Sequence, residues 1–137
     1  MTFLKVQLAD VKHLPQIWPL VENYLENALK YTEDYTIDQI KVFLSTNMWV
    51  LFVFVDEEQR IHGAMTVTFE NSPNHRTAII TAIGGKNVVT KPIIEQLSFI
   101  LKQNGANRIQ CLARDSAARL YGTIGFCKKS ILMELKI

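Results

Sequence analysis

Hydrophobic residues recur along this chain at two spacings, every second position and every third or fourth, and the alternation between them lays out its elements. Phe3 to Leu8 alternates apolar and polar and predicts a first strand. Ile17, Leu20, Val21, Tyr24, Leu25, Ala28 and Leu29 follow at helical spacing. Pro15 suits an early helical position, where a missing N–H costs nothing, and Pro19 predicts a kink near the start. After a polar break at Thr32-Glu33-Asp34, the run Thr36-Ile37-Asp38-Gln39 is a capping box opening a second helix, which presents Ile37, Ile40, Phe43 and Leu44.

Trp49 to Val55 is apolar on both faces and predicts an interior strand. Asp56 to Arg60 reads as a polar hairpin connection, Ile61 to Phe69 as the next strand, and Asn71-Ser72-Pro73-Asn74 as a turn. Arg76 to Ile83 is a further interior strand, ended by Gly84-Gly85. A helix from Pro92 to about Gln103 carries Ile93, Ile94, Leu97, Ile100 and Leu101 on its apolar side and stops at Asn104-Gly105. Arg108 to Ala113 is a strand, Asp115 or Ser116 caps a short helix, and Phe126 to Leu135 closes the chain as a strand. The order β-α-α-β-β-β-α-β-α-β implies a mixed α/β sheet with helices on both faces.

Composition narrows the class. One domain spanning residues 1–137 is expected from the length, and 48% hydrophobic content supports a real core. A formal charge of +2 without a basic run gives nucleic-acid binding no support. The longest apolar run, Trp49 to Val55, is too short to span a bilayer, so no membrane partner is expected. Met1 leads straight into a strand-like stretch without the pattern of a secretion leader. Cys111 and Cys127 lack metal-ligand spacing and read as free, mostly buried thiols of a reducing, cytoplasmic compartment. No His, Cys or Asp cluster has the spacing of a metal site.

The segment Ala113-Arg114-Asp115-Ser116-Ala117-Ala118-Arg119-Leu120-Tyr121-Gly122-Thr123-Ile124-Gly125-Phe126 carries the most chemistry. Its helix ends in Leu-Tyr, and Gly-Phe follows. This layout resembles the C-terminal signature of the GNAT (GCN5-related) N-acetyltransferases. The Ile61-His62-Gly63 strand and the Met133-Glu134-Leu135 segment are similar to the same family. The resemblance implies the GNAT acyl-CoA N-acyltransferase fold. It implies acetyl-CoA in a wedge between the fourth and fifth strands, with Tyr121 as the general acid that protonates the departing thiolate. It also implies a pyrophosphate on backbone amides at the start of the helix after the fourth strand.

The corresponding stretch here is Lys86-Asn87-Val88-Val89-Thr90-Lys91-Pro92. Against the family pattern Gln/Arg-x-x-Gly-x-Gly/Ala, Asn87 takes the first place, and Thr90 and Pro92 stand where the glycines belong. β-Branched Val88 and Val89 favour extended backbone, and Pro92 removes an amide. Lys86 and Lys91 still offer charge. Arg114 stands where the family often has Asn, while Ala117 matches its small residue. No carboxylate on the Arg76–Ile83 strand offers a general base. Glu70, His62 and His75 share no spacing that demands one site, and Cys111 has no visible histidine partner.

Together these departures resemble the small GNAT-like proteins encoded by tailed bacteriophages. That implies a protein with impaired or absent acetyltransferase activity and either no cofactor or a weakly held acetyl-CoA. Such a protein acts as a structural or interaction component in the host cytoplasm or the virion, with protein partners or a second copy of itself. The alternative is an active N-acyltransferase on a small amine or a protein amine.

Overall fold

The computed structural model describes residues 3–137. Five strands form one mixed sheet in chain order: β1 (Lys5–Leu8), β2 (Val50–Val55), β3 (Ile61–Asn71), β4 (Arg76–Gly85) and β5 (Arg108–Cys111). The first four pair antiparallel, and β4 pairs parallel with β5. Four helices accompany them: α1 (Leu14–Ala28), α2 (Ile37–Ser45), α3 (Lys91–Gln103) and α4 (Asp115–Thr123). Among the described residues no helix is long and apolar enough to cross a membrane.

Local sequence explains most element ends. Pro15 occupies the first turn of α1, and Pro19 lies inside the helix, which continues through it. Thr36 and Gln39 make the expected reciprocal cap on α2: the Gln39 amide donates to Thr36 Oγ1 at 3.2 Å, and the Thr36 amide to Gln39 Oε1 at 3.0 Å. The β2–β3 connection is organised by the buried Asp56 carboxylate. Its Oδ1 accepts the Glu58 and Arg60 amides at 2.8 and 3.0 Å. Its Oδ2 meets His62 Nε2 at 2.8 Å and Arg60 Nε at 3.1 Å. The hydrogen bond to His62, then that from the Arg60 amide, hold this carboxyl well below the usual carboxylate range, against the opposing effect of burial.

Each face of the sheet has its own core. Phe52, Phe54, Met65, Val67 and Ile80 pack with Ile93, Leu97 and Leu101 of α3 on one side. Leu51, Val53, Val55, Ala64 and Ala82 pack with α1 and α2 on the other. β2 and β4 are interior strands, as their apolar runs predict, and Phe52 and Phe54 are fully buried. Alternate residues of β2 feed opposite cores, which is why the strand lacks polar positions.

Three expectations at the C-terminal end need correction. Neither Asp115 nor Ser116 caps α4: Arg114 is the N-cap residue and supplies no side-chain bond, while Asp115 sits in the first turn, where its charge favours the helix dipole. The strand expected over Phe126 to Leu135 does not form. The Phe126 amide bonds to the Tyr121 carbonyl, and beyond it residues 127–137 make no backbone hydrogen bond to the described residues. A strand needs a neighbouring strand, and none of the five pairs with this segment. In consequence Cys127 is exposed rather than buried, and Cys111 is half-buried.

Two outcomes follow. Phe54→Ala should lower unfolding free energy by roughly 3–5 kcal/mol through lost burial and a residual cavity, measured by urea denaturation. The depressed Asp56 pKa contributes stability that is full above the unfolded-state value of about 3.9 and is lost as pH falls below it toward the folded value. Denaturation midpoints should therefore drop through the acid range, and Asp56→Asn should be weaker at neutral pH with a shallower acid loss.

Candidate functional site

The end of β4 is shaped by one extra residue. Thr66 of β3 pairs with Ala82 while the next residue, Val67, pairs with Ile80, so Thr81 is left over as a bulge. Its hydroxyl lies 2.7 Å from the Thr66 hydroxyl and 3.1 Å from the Thr66 carbonyl oxygen, to which it donates. The β4–β5 ladder runs from Thr77–Arg108 only to Ile80–Cys111 and stops at this bulge. Arg108 Nε donates to Thr77 Oγ1 at 2.6 Å and locks the paired end. From Thr81 to Gly85, β4 continues without β5, whose last paired residue is Cys111.

The floor of this region is set by α1. A Cβ on Gly84 would stand 2.0 Å from the Tyr24 carbonyl oxygen, so only glycine lets the α1 backbone lie directly on β4. Gly85, with φ 130°, then turns the chain toward α3.

The loop from Lys86 to Lys91 divides into unlike parts. Lys86, Asn87 and Lys91 are exposed, and Asn87 takes a left-handed φ of 56°. Val88 is buried in the α3-side core, with its Cγ1 against Gly63 and Gly85. Val89 packs half-buried on the same core. Thr90 is the N-cap of α3: its hydroxyl accepts the Ile93 amide at 3.4 Å, and its carbonyl accepts the Ile94 amide at 3.0 Å. Pro92 has no N–H. Of the three amides in the first turn, only that of Lys91 remains for an outside acceptor. Lys86 and Asn87 form a hydrogen-bonded turn, and among the described residues no close partner takes the amides of Lys86, Asn87 or Val89.

Tyr121 projects from α4 beside Cys111, the last residue of β5. Its ring packs edge-on against Phe126 at 5.3 Å. Its hydroxyl makes no hydrogen bond to the described residues, and burial, then the neighbouring Cys111, push its pKa up to about 12. Burial also raises the Cys111 thiol, so neither group ionises readily. Arg114 stacks its guanidinium 3.5 Å over the Tyr31 ring, tying the start of α4 to the end of the first helical region. No hydrogen bond or ion pair joins Tyr121 to the Lys86–Lys91 loop among the described residues.

The other titratable candidates lie apart. His62 is bound to Asp56, and His75 lies 3.3 Å from Asn107 Oδ1 at the far end of β4. Glu70 is exposed near the end of β3. Among the described residues no three His, Cys, Asp or Glu side chains gather as a metal site would require. The bulge at Thr81, the close approach at Gly84 and the Asp56 cluster escaped the sequence reading. Each depends on a partner distant in sequence, and the Gly84-Gly85 pair was the sole visible sign.

No protein-family profile and no curated protein matches the chain. Solved structures do. An aminoglycoside acetyltransferase, meta-AAC0020, from an uncultured soil metagenomic sample in complex with trehalose superposes with a TM-score of 0.71 at 18% identity, covering 98% of this chain and 95% of that one. A predicted acetyltransferase with acetyl-CoA from Clostridium acetobutylicum gives 0.68 at 16% identity, over 98% and 96% of the two chains. The glucosamine-6-phosphate N-acetyltransferase of Arabidopsis thaliana gives 0.65 at 16% identity, over 98% of each. The chain therefore has the GNAT acetyltransferase fold.

Proposed function

We propose that this chain is a GNAT scaffold with impaired or absent acetyl transfer, acting as a structural or interaction protein. The loop before α3 carries the proposal. An acyl-CoA pyrophosphate held in the manner of the fold requires several backbone amides converging at the helix start. Here Thr90 occupies one, Pro92 abolishes another, and Val88 anchors the loop by entering the core. The residues present do not fit the cofactor's diphosphate, although the fold persists. A protein that keeps the fold and loses the grip retains it for its surfaces. The resemblance to phage-encoded chains supports a place in the virion or the infected cell, tested by looking for the protein in purified particles.

Acetyl-CoA at millimolar concentration should leave the melting temperature nearly unchanged, because a ligand stabilises the native state only in proportion to its occupancy. Micromolar binding by calorimetry, lost on Lys86→Ala or Lys91→Ala, would refute the proposal.

A second reading, an active N-acyltransferase, is favoured by Tyr121. Its hydroxyl is protonated, free of protein partners and beside the open end of β5, and its pKa of about 12 lies above that of a thiol, about 8.5. Such a group suits donation to a departing thiolate. The amides of Lys86, Asn87 and Val89, without a close partner among the described residues, point the same way. On this reading an amine panel yields acetylated product, and Tyr121→Phe lowers turnover by roughly 10²–10⁴-fold with little loss of stability. Absence of product from the intact chain supports the scaffold.

A further inference from the structure

The end of the sheet opposite the Lys86–Lys91 loop holds a cavity of about 360 Å³. β2 begins there at Val50 and runs to Phe54, whose partner Gly63 pairs with Gly85, so most of a strand's length separates the two places. Two connections build the cavity, β1 into α1 and α2 into β2. Leu14, Leu44 and Leu51 wall it with buried side chains, and Asp10 and Asn47 stand exposed at its rim. Backbone bonds hold both connections. The Ala9 amide donates to the Leu51 carbonyl at 2.8 Å, and the Met48 and Trp49 amides donate to the Phe43 carbonyl at 2.9 and 3.1 Å. The walls are thus set by the fold itself.

Trp49 gives the cavity its chemistry. Its ring packs against Tyr35 and Phe43, each with a centroid 4.8 Å away, and the residue is 8% exposed. Yet its indole N–H has no hydrogen-bond partner among the described residues. A sealed donor without a partner costs free energy, and no side-chain nitrogen or oxygen among those residues is both sealed and unpartnered. The N–H therefore reaches an opening, and this cavity is an opening that Trp49 lines. At the rim, Asp10 Oδ1 accepts the Lys12 amide at 2.9 Å, which leaves Oδ2 for an outside donor.

We propose that this cavity binds a small apolar amine that carries a neutral oxygen at the end far from its ammonium. The order of the groups follows from depth. The exposed Asp10 carboxylate can meet a cation that keeps much of its water, whereas a charge at the buried indole would lose its hydration against a single donor. A neutral hydroxyl or carbonyl oxygen accepts the Trp49 N–H at small cost, and an aromatic or aliphatic body covers Leu14, Leu44 and Leu51 in between. Asn47 adds a donor and an acceptor at the mouth. A carboxylic acid is repelled by Asp10, and a hydrocarbon amine leaves the indole N–H unpaired. The lining shares no residue with the Lys86–Lys91 loop or α4, so the proposal is independent of whether the chain transfers acyl groups.

Tyramine supplies ammonium, ring and hydroxyl in that order and serves as the probe. Titrated into the isotope-labelled intact chain, it should shift the Trp49 indole resonance, identified by comparison with Trp49→Phe. The dissociation constant should be roughly 0.1–1 mM, as suits so small a ligand. Phenethylamine, which lacks the hydroxyl, should bind at least about five-fold more weakly. Asp10→Asn keeps a residue type that caps the turn, so the fold is retained. It should weaken tyramine about two- to five-fold, the reach of an exposed ion pair, while the uncharged p-cresol loses nothing. An indole resonance that stays in place at millimolar tyramine overturns the proposal. So does phenethylamine that binds as tightly as tyramine, or an Asp10→Asn chain that holds tyramine as well as the intact one.

Discussion

Everything in this molecule is arranged about the contact of the α1 backbone with β4 at Gly84. A helix whose carbonyl oxygen stands 2.0 Å from where a Cβ would be cannot lie over any other residue without moving. This fixes the height of α1 above the sheet. It also fixes where Trp18, Val21 and Leu25 enter the lower core. The same stretch of β4 then has to serve the other face, where Val88 and α3 close the upper core over Gly63 and Gly85. The glycines at 63, 84 and 85 are thus one device: three backbones brought close enough for the strand end to be covered on both sides.

That covering bears on the chemistry. A helix start can hold an anion only if its first amides are left unpaired and the chain before it allows approach. In this loop the hydrophobic effect and the cap compete for the same atoms. Burying Val88 pulls the loop toward the core, Thr90 satisfies Ile93, and Pro92 contributes rigidity in place of a donor. Each choice favours a well-stopped α3 over an anion cradle. The β4–β5 ladder ends at Ile80–Cys111, next to the extra residue at Thr81, independently of the loop.

The sheet edges show a second division of labour. Gln96 closes β1 with two hydrogen bonds to backbone, whereas β5 is left with half-exposed residues and an unpaired side. An open edge and a free apolar arm in one chain are hazards if unpaired.

The sequence by itself determined the elements and the two cores. Periodicity placed α1, α2 and α3. Apolar runs identified β2 and β4 as interior, and Thr36 with Gln39 marked a helix start, because each signal is local and reads out within a few residues. Its resemblance to the GNAT signature also singled out Tyr121 and the loop at Lys86–Lys91. Only the tertiary structure decided what those residues meet. Val88 became a core residue and not a phosphate-facing one because Gly63, distant in sequence, left room for it. Asp56 became an anchor because His62 and Arg60 converge on it. The arm after Gly125 has the pattern of a strand but forms none, because pairing is a property of two segments, and no strand among the described residues pairs with it.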